Sequence, residues 1–108
     1  MHTETAGLMR TLGDPTRLAV FEHLCRAGEA PVVELTRAAG VSQPAVSQHL
    51  RALRQAGLVR ERRVGRNVLY RPEPEGLAPL VDWLDVYAVF WRDRFAALKS
   101  LLNEIDPK

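Results

Sequence analysis

Apolar residues recur every three or four positions over most of the chain, which is the period of an α-helix with one buried face. A first short stripe ends at Leu12. Asp14, a good N-cap residue, and Pro15 at the first helical position then predict the start of a second helix. We expect Cys25 to lie on the apolar face of this helix and to be buried. Gly28 is predicted to end it.

The middle of the chain predicts two helices joined by a tight connection, AAGVS. The third helix spans residues 31–40, and the fourth spans residues 42–57 with Ser42 as its N-cap. The apolar face of the fourth helix consists of three residues spaced four and three apart: Val46, Leu50 and Leu53. Residues 31–57 therefore predict a helix-turn-helix.

Residues 58–72 predict a β-hairpin, because strand-forming residues flank the turn residues Gly65, Arg66 and Asn67. Such a hairpin after a helix-turn-helix is called a wing. The expected fold class is mainly α with this small β-hairpin wing (α+β), as a single winged helix-turn-helix domain over residues 1–108.

Residues 77–106 predict a long helix that carries five of the seven aromatic residues of the chain. Its apolar stripe is more than a domain of this size can cover, so we expect a homodimer formed by the helices in residues 1–13 and 77–106. The alternative is that the stripe packs within one chain. The expected dimer interface consists of Leu8, Met9, Leu12, Leu80, Trp83, Leu84, Tyr87, Phe90, Trp91, Phe95 and Leu98.

The basic charge is concentrated in one third of the chain. Residues 37–71 hold eight arginines and one acid, a net charge of +7, whereas residues 1–36 have a net charge of −2 and residues 72–108 of −3. This distribution is typical of a face that binds a polyanion. A solvated arginine-rich surface is the alternative.

The fourth helix points an uncharged, hydrogen-bonding face away from its apolar residues. Glutamine and arginine side chains can pair with adenine and guanine in the major groove, and a serine hydroxyl can pair with either a donor or an acceptor. The alternative is that these residues only solvate an exposed helix. The outward face consists of Gln43, Pro44, Ser47, Gln48 and Arg51.

The runs LGDPTRLAVFEHL and VSQPAVSQHLRALRQAGLVRERRVGRNVLYR resemble the ArsR family of winged-helix transcriptional repressors. The resemblance covers residues 8–71. It implies a homodimer that binds an inverted-repeat operator in double-stranded DNA until an effector, such as a small molecule, releases it. It assigns recognition positions to Ser42, Gln43, Ala45, Ser47, Gln48 and Arg51, and wing positions to Arg63, Arg66 and Asn67.

Two further residues of the fourth helix lie near this predicted DNA-binding face. Arg54 is expected to reach the DNA backbone from the helix. His49 matches the recurrent histidine of the family, and its position on the helix predicts packing or hydrogen bonding first and a phosphate contact second.

The metal-binding motifs of many ArsR proteins are missing from the sequence. Val32 and Val33 stand where relatives have a cysteine pair, and the terminal helix has aspartates but no histidine. The three histidines have no zinc-like spacing. We therefore expect no metal site and no cofactor, and a redox role for Cys25 would need a second thiol across the dimer.

The sequence favours neither an enzyme nor a membrane protein. It contains no nucleophile–base set and no phosphate-cradling glycine loop, and its longest apolar run, VYAVFW, is far too short to cross a bilayer. We expect a cytoplasmic DNA-binding regulator. The alternative is a winged-helix module that binds another protein instead of DNA.

Overall fold

The computed structural model describes residues 2–105, with side chains from residue 4. Residue 1 and residues 106–108, at the ends of the predicted domain, lie outside this range. The described part folds into five α-helices and a small antiparallel sheet, as the sequence predicts. In chain order the elements are α1 (His2–Leu12), α2 (Pro15–Ala27), β1 (Ala30–Pro31), α3 (Val32–Ala39), α4 (Gln43–Gln55), β2 (Val59–Val64), β3 (Asn67–Pro72) and α5 (Ala78–Ile105).

Helix α2 begins and ends where the sequence predicts. The side chain of Asp14 accepts a hydrogen bond from the backbone N–H of Arg17 at 3.0 Å, and Pro15 occupies the first turn. This hydrogen bond lowers the pKa of Asp14 below its ordinary value, so the cap is charged at neutral pH. At the other end Gly28 takes a φ of 83°, and its N–H donates to the carbonyl of Leu24.

The core lies between helices α2, α3 and α4 and the base of the hairpin. The predicted apolar face of α4, Val46, Leu50 and Leu53, is buried. Eight further apolar residues complete the core: Leu8, Val20, Phe21, Leu24, Ala30, Leu35, Leu58 and Val59.

One prediction about burial is wrong. Cys25 is exposed, because the buried face of α2 is centred on Val20, Phe21 and Leu24, and Cys25 lies about 100° away from Leu24 on a helix. Leu8, which is predicted to lie in the dimer interface, belongs to the core of the single chain and has only 6% of its surface exposed. Leu8 therefore has little surface left for a partner.

The sheet has three strands in the order β1-β3-β2. The hairpin of β2 and β3 is the predicted wing, and β1 adds only two residues, Ala30 opposite Tyr70 and Pro31 opposite Leu69. This short strand was not predicted. It anchors the wing to the connection between α2 and α3.

A tight glycine contact joins the end of α4 to the start of α5. A 3-10 turn, Pro74–Leu77, leads into α5, and within it Gly76 lies against Gly57. A Cβ on Gly76 would overlap the carbonyl oxygen of Gly57 and lie 2.8 Å from its carbonyl carbon. Only glycine fits here without displacing backbone.

Helix α5 contacts the body through its first turns, where it packs against α1. Leu77 and Leu80 pack against the core, whereas every residue from 89 to 105 is exposed. The outer half of the helix thus has no covering within the chain.

Candidate nucleic-acid interface

Helix α4 presents the polar face that the sequence predicts. Gln43, Pro44, Gln48 and Arg51 are exposed, opposite the buried apolar face. Two further predicted recognition residues, Ala45 and Ser47, are partly buried at the edges of this face. The structure therefore brings the predicted recognition positions of α4 together on one side of the helix.

The N-terminus of α4 is capped by Ser42. Its hydroxyl oxygen accepts a hydrogen bond from the backbone N–H of Ala45 at 3.3 Å, and Ser42 itself is exposed. The first backbone N–H groups of a helix carry partial positive charge and bind anions readily. This end of α4 can therefore approach a phosphate.

The tip of the wing carries cationic and amide side chains. Val64 lies opposite Asn67, so Gly65 and Arg66 form a two-residue turn, and Gly65 has the φ of 63° that such a turn needs at its first position. Arg66 and Asn67 are exposed. They are the part of the wing farthest from the core.

Arg63 projects from the same face of the wing as Glu61, because residues two apart in a strand share a face. Glu61 contacts Arg54 of α4, so Arg63 lies on the side of the wing that faces the recognition helix. Among residues 4–105, Arg63 and Arg66 have no ion-pair partner. Both guanidinium groups remain available to phosphate.

Other arginines of this region already hold carboxylates. Arg54 pairs with Glu61 at 2.9 Å, so DNA binding by Arg54, as predicted, requires this exposed pair to open. Arg62 donates two hydrogen bonds to Glu29, at 3.0 and 2.7 Å, which is the bidentate geometry that favours an arginine–carboxylate pair. A third pair, at 3.1 Å, joins Arg60 to Glu73.

The pair of Arg62 and Glu29 stays charged over the physiological range. Hydrogen bonds from Arg62 lower the pKa of Glu29, and the same contact raises the pKa of Arg62. Because Glu29 directly precedes β1, the pair ties the outer face of the wing to the body of the domain. It therefore acts as a structural contact of the wing.

Arg17 links α4 to α1 and α2, a role the sequence did not indicate. Its Nε donates to Nδ1 of His49 at 3.3 Å, and its Nη1 donates to the carbonyl of Thr11 at 3.2 Å. The prediction that His49 packs or forms hydrogen bonds is therefore confirmed. Since α4 carries the polar face, Arg17 helps to fix its orientation relative to α1 and α2.

We expect Arg17→Ala to lower the free energy of unfolding by roughly 1–2 kcal/mol, because it removes two hydrogen bonds between helices. Urea unfolding measures the effect, and a double-mutant cycle with His49→Ala isolates the coupling of the pair. Arg26→Ala, on the same helix and exposed, is the matched control and should change little. Equal losses for the two arginine variants would contradict this role.

The predicted dimer surface is exposed along most of α5. About half of the surface of each of four side chains, between 49% and 61%, is exposed to solvent: Leu84, Trp91, Phe95 and Leu98. Phe90, Tyr87 and, on α1, Met9 are also exposed, whereas Trp83, Leu80 and Leu12 are partly buried. A single chain thus leaves a large apolar stripe in solvent.

Within residues 4–105 no three metal-ligating side chains of the acidic, histidine or cysteine type lie close enough to hold a metal ion. His2 falls outside the described side chains. No helix in the described range is both long and apolar enough to cross a membrane.

Comparison with known proteins identifies the family. Residues 14–61 match the family described as bacterial regulatory protein, arsR family. The arsenic resistance transcriptional regulator ArsR1 of Pseudomonas putida is 41% identical over 78 residues, which are 72% of this chain. The chain spans 58% of the length of that relative.

Solved structures extend the match over nearly the whole chain. An ArsR-like transcriptional regulator from Rhodococcus sp. RHA1 is 31% identical, with a TM-score of 0.72 and 93% of each chain covered. A homodimeric winged helix-turn-helix DNA-binding domain from Mycobacterium bovis is 29% identical, with a TM-score of 0.64. The match covers 85% of this chain and 84% of that one. With its recognition helix, its wing and these relatives, the chain belongs to the arsR family of bacterial regulatory proteins, which are regulators and not enzymes.

Proposed function

We propose that the protein is a homodimeric transcriptional repressor that binds an inverted-repeat operator. The observation that carries the proposal is the pairing of an exposed, uncharged α4 face with exposed arginines on the adjacent wing. An uncharged polar face suits base edges, and the arginines suit phosphates. The face of α4 would read the base sequence, and the arginines of the wing would supply affinity for the DNA backbone.

In this proposal α4 enters the major groove. Gln48 and Arg51 lie on the most outward ridge of the helix and read bases, with Gln43 and Ser47 at its sides. The capped N-terminus of α4 faces a phosphate. Arg66 at the tip of the wing, with Arg63 and Asn67, contacts the minor groove or the flanking phosphates.

Dimerisation through α5 supports two-fold binding. The apolar stripe along α5 needs a covering, and the structural relative from Mycobacterium bovis is a homodimer. A two-fold dimer presents two copies of α4, which suit half-sites about 34 Å apart, or one turn of DNA. The exposed side chains of α5 would then be buried between two copies of this chain.

Release from DNA requires a signal, which we propose to be an effector other than a metal. The sequence lacks the cysteine pair of metal-sensing relatives, and Cys25 is a single exposed thiol. Partial burial and the neighbouring Glu22 raise the pKa of Cys25, so less of the reactive thiolate is present at neutral pH. Oxidation of Cys25 is therefore not part of the proposal.

Two single substitutions separate base reading from phosphate binding. Gln48→Ala is expected to relax preference at one base pair of each half-site by about 1–3 kcal/mol of discrimination, while the salt dependence stays the same. Arg66→Ala should weaken binding to all sequences and reduce the slope of log K against log salt by about 0.9 for each chain. Selection of bound DNA from random oligonucleotides, followed by titrations across salt, measures both.

Gln55→Ala is the control, because this exposed glutamine lies on the same helix at its far end. It should leave base preference unchanged if only the first turns of α4 reach the bases. Equal weakening of all sequences by Gln48→Ala would contradict the assignment of α4 to base reading. Absence of any salt-dependent DNA binding by the unmodified protein would overturn the proposed function as a whole.

A further inference from the structure

A crevice of about 320 Å³ lies between the beginning of α1 and the first turns of α5. This volume is at the lower end of the range for small-molecule sites. The crevice is built within one chain, from both helices. Its lining consists of Glu4, Thr5, Ala78, Pro79, Asp82, Trp83, Val86 and Tyr87.

The crevice borders the dimer stripe of α5, and two of its lining residues, Trp83 and Tyr87, also belong to the expected interface. Pro79, Asp82 and Val86 are spaced three and four apart and share one face. At 100° per residue this face is about 150° away from the one that carries Leu84 and Leu98. A partner chain packed on Leu84 and Leu98 therefore leaves the face of Pro79, Asp82 and Val86 open. The rings of Trp83 and Tyr87 lie between these two faces, at the border of the interface.

The walls of the crevice are mainly apolar and aromatic. The rings of Trp83 and Tyr87 lie with their centroids 5.1 Å apart and their planes tilted by 53°. Aromatic faces carry negative potential and attract cations, with tryptophan the strongest. Thr5, only 7% exposed, adds a buried hydroxyl.

The charges of the crevice all have one sign. Glu4 and Asp82 are exposed carboxylates, and none of the eight lining residues is basic. Neither carboxylate forms an ion pair with any side chain from residue 4 to residue 105. Two unpaired negative charges beside an aromatic wall repel anions and attract a cation that also has apolar surface to bury.

We propose that this crevice binds a small organic cation with an apolar body, such as a quaternary ammonium or a protonated aromatic amine. The apolar part of the ligand lies against Pro79 and Val86, and its charge lies between the aromatic rings and the carboxylates. This inference goes beyond the proposed DNA binding and does not depend on it. The crevice begins two residues after Gly76, so a bound ligand lies next to the joint between α4 and α5.

The test uses the full chain and benzyltrimethylammonium as the probe. The indole N–H signals of Trp83 and Trp91 are followed by nuclear magnetic resonance during titration, and a Trp91→Phe variant serves only to assign them. We expect the Trp83 signal to shift and saturate, with a dissociation constant on the order of 0.1–1 mM for a ligand of this size. The signal of Trp91, on the exposed outer half of α5, should not follow.

Controls of opposite or removed charge distinguish binding in the crevice from unspecific attraction of a cation to the protein surface. Phenylmethanesulfonate has a similar shape and opposite charge, and it should not shift Trp83. Asp82→Asn and Glu4→Gln should each weaken binding of the cation about threefold. Asp93→Asn removes the same charge from an exposed position of α5 outside the crevice and should have no such effect.

Three results would overturn the proposal: no saturable shift of Trp83 at 10-fold excess over the expected dissociation constant, equal binding of the sulfonate, or equal weakening by Asp82→Asn and Asp93→Asn. The titration contains no DNA. Its failure would therefore leave operator binding untouched, and failure of operator binding would leave the titration interpretable.

Discussion

A Gly76→Ala variant is expected to lose about 3 kcal/mol of unfolding free energy, because the added methyl group overlaps backbone and not a movable side chain. Gly57 and Leu58, on the other side of the contact, connect the end of α4 to the first strand of the wing. Relief of the overlap must therefore separate the turn before α5 from this corner. Domains of this size have only about 5–15 kcal/mol of stability, so the change is large. Thermal or urea unfolding measures it.

Gly7→Ala is the matched control for this substitution. A Cβ at Gly7, within α1, meets no atom within 4 Å, so alanine should be neutral or stabilise the helix by up to about 1 kcal/mol. If Gly76→Ala unfolded at the same urea concentration as the unmodified protein, the close contact between Gly76 and Gly57 would be refuted.

A Leu98→Glu variant is expected to be monomeric and to lose operator affinity by a factor of 100 or more. Leu98 is 50% exposed in the single chain, so glutamate costs little there, but in the proposed dimer it would bury an unpaired charge. Loss of the link between two half-sites removes avidity of about 10²–10⁴. Analytical ultracentrifugation and mobility shifts on the full operator measure the two effects.

Ser100→Glu introduces the same charge on the same helix, about 160° around its axis from Leu98. It should remain dimeric with full operator affinity. Binding of Leu98→Glu to an isolated half-site should equal that of the unmodified protein, because α4 and the wing are unchanged. A Leu98→Glu protein that stayed dimeric would show that α5 is not the interface.

Local rules were sufficient to predict the helices and the wing. Some signals act within three or four residues, and their effect can be predicted from the neighbouring sequence. They are the capping side chains of Asp14 and Ser42 and the turn glycine Gly65. The buried face of α4 follows from helical spacing alone. These features also place the outward residues of α4, which is why the candidate recognition face could be predicted.

The features that were not predicted depend on contacts between residues that are far apart in the sequence. Strand β1 exists because Ala30 meets Tyr70, 40 positions later, and two residues alone carry no strand pattern. The bonds from Arg17 to His49 and from Arg62 to Glu29 join residues 32 and 33 positions apart. The burial of Cys25 was mispredicted because two faces of α2 have helical spacing, one through Leu18 and Cys25 and one through Val20. Only packing against the other helices decides that the face with Val20 is the buried one.

The carboxylates beside the wing affect how the protein would move among DNA sites. Three of the eight arginines in residues 37–71 are already paired, and five have no ion-pair partner within residues 4–105: Arg37, Arg51, Arg63, Arg66 and Arg71. Since Arg51 is proposed to read bases, four of these five remain for phosphates. Each phosphate contact strengthens attachment to any sequence, and a genome offers millions of sites that are not operators. With fewer free guanidinium groups, the protein would stay bound to such a site for a shorter time. In the proposed repressor, the paired acids would therefore favour rapid exchange between sites and a faster search for the operator.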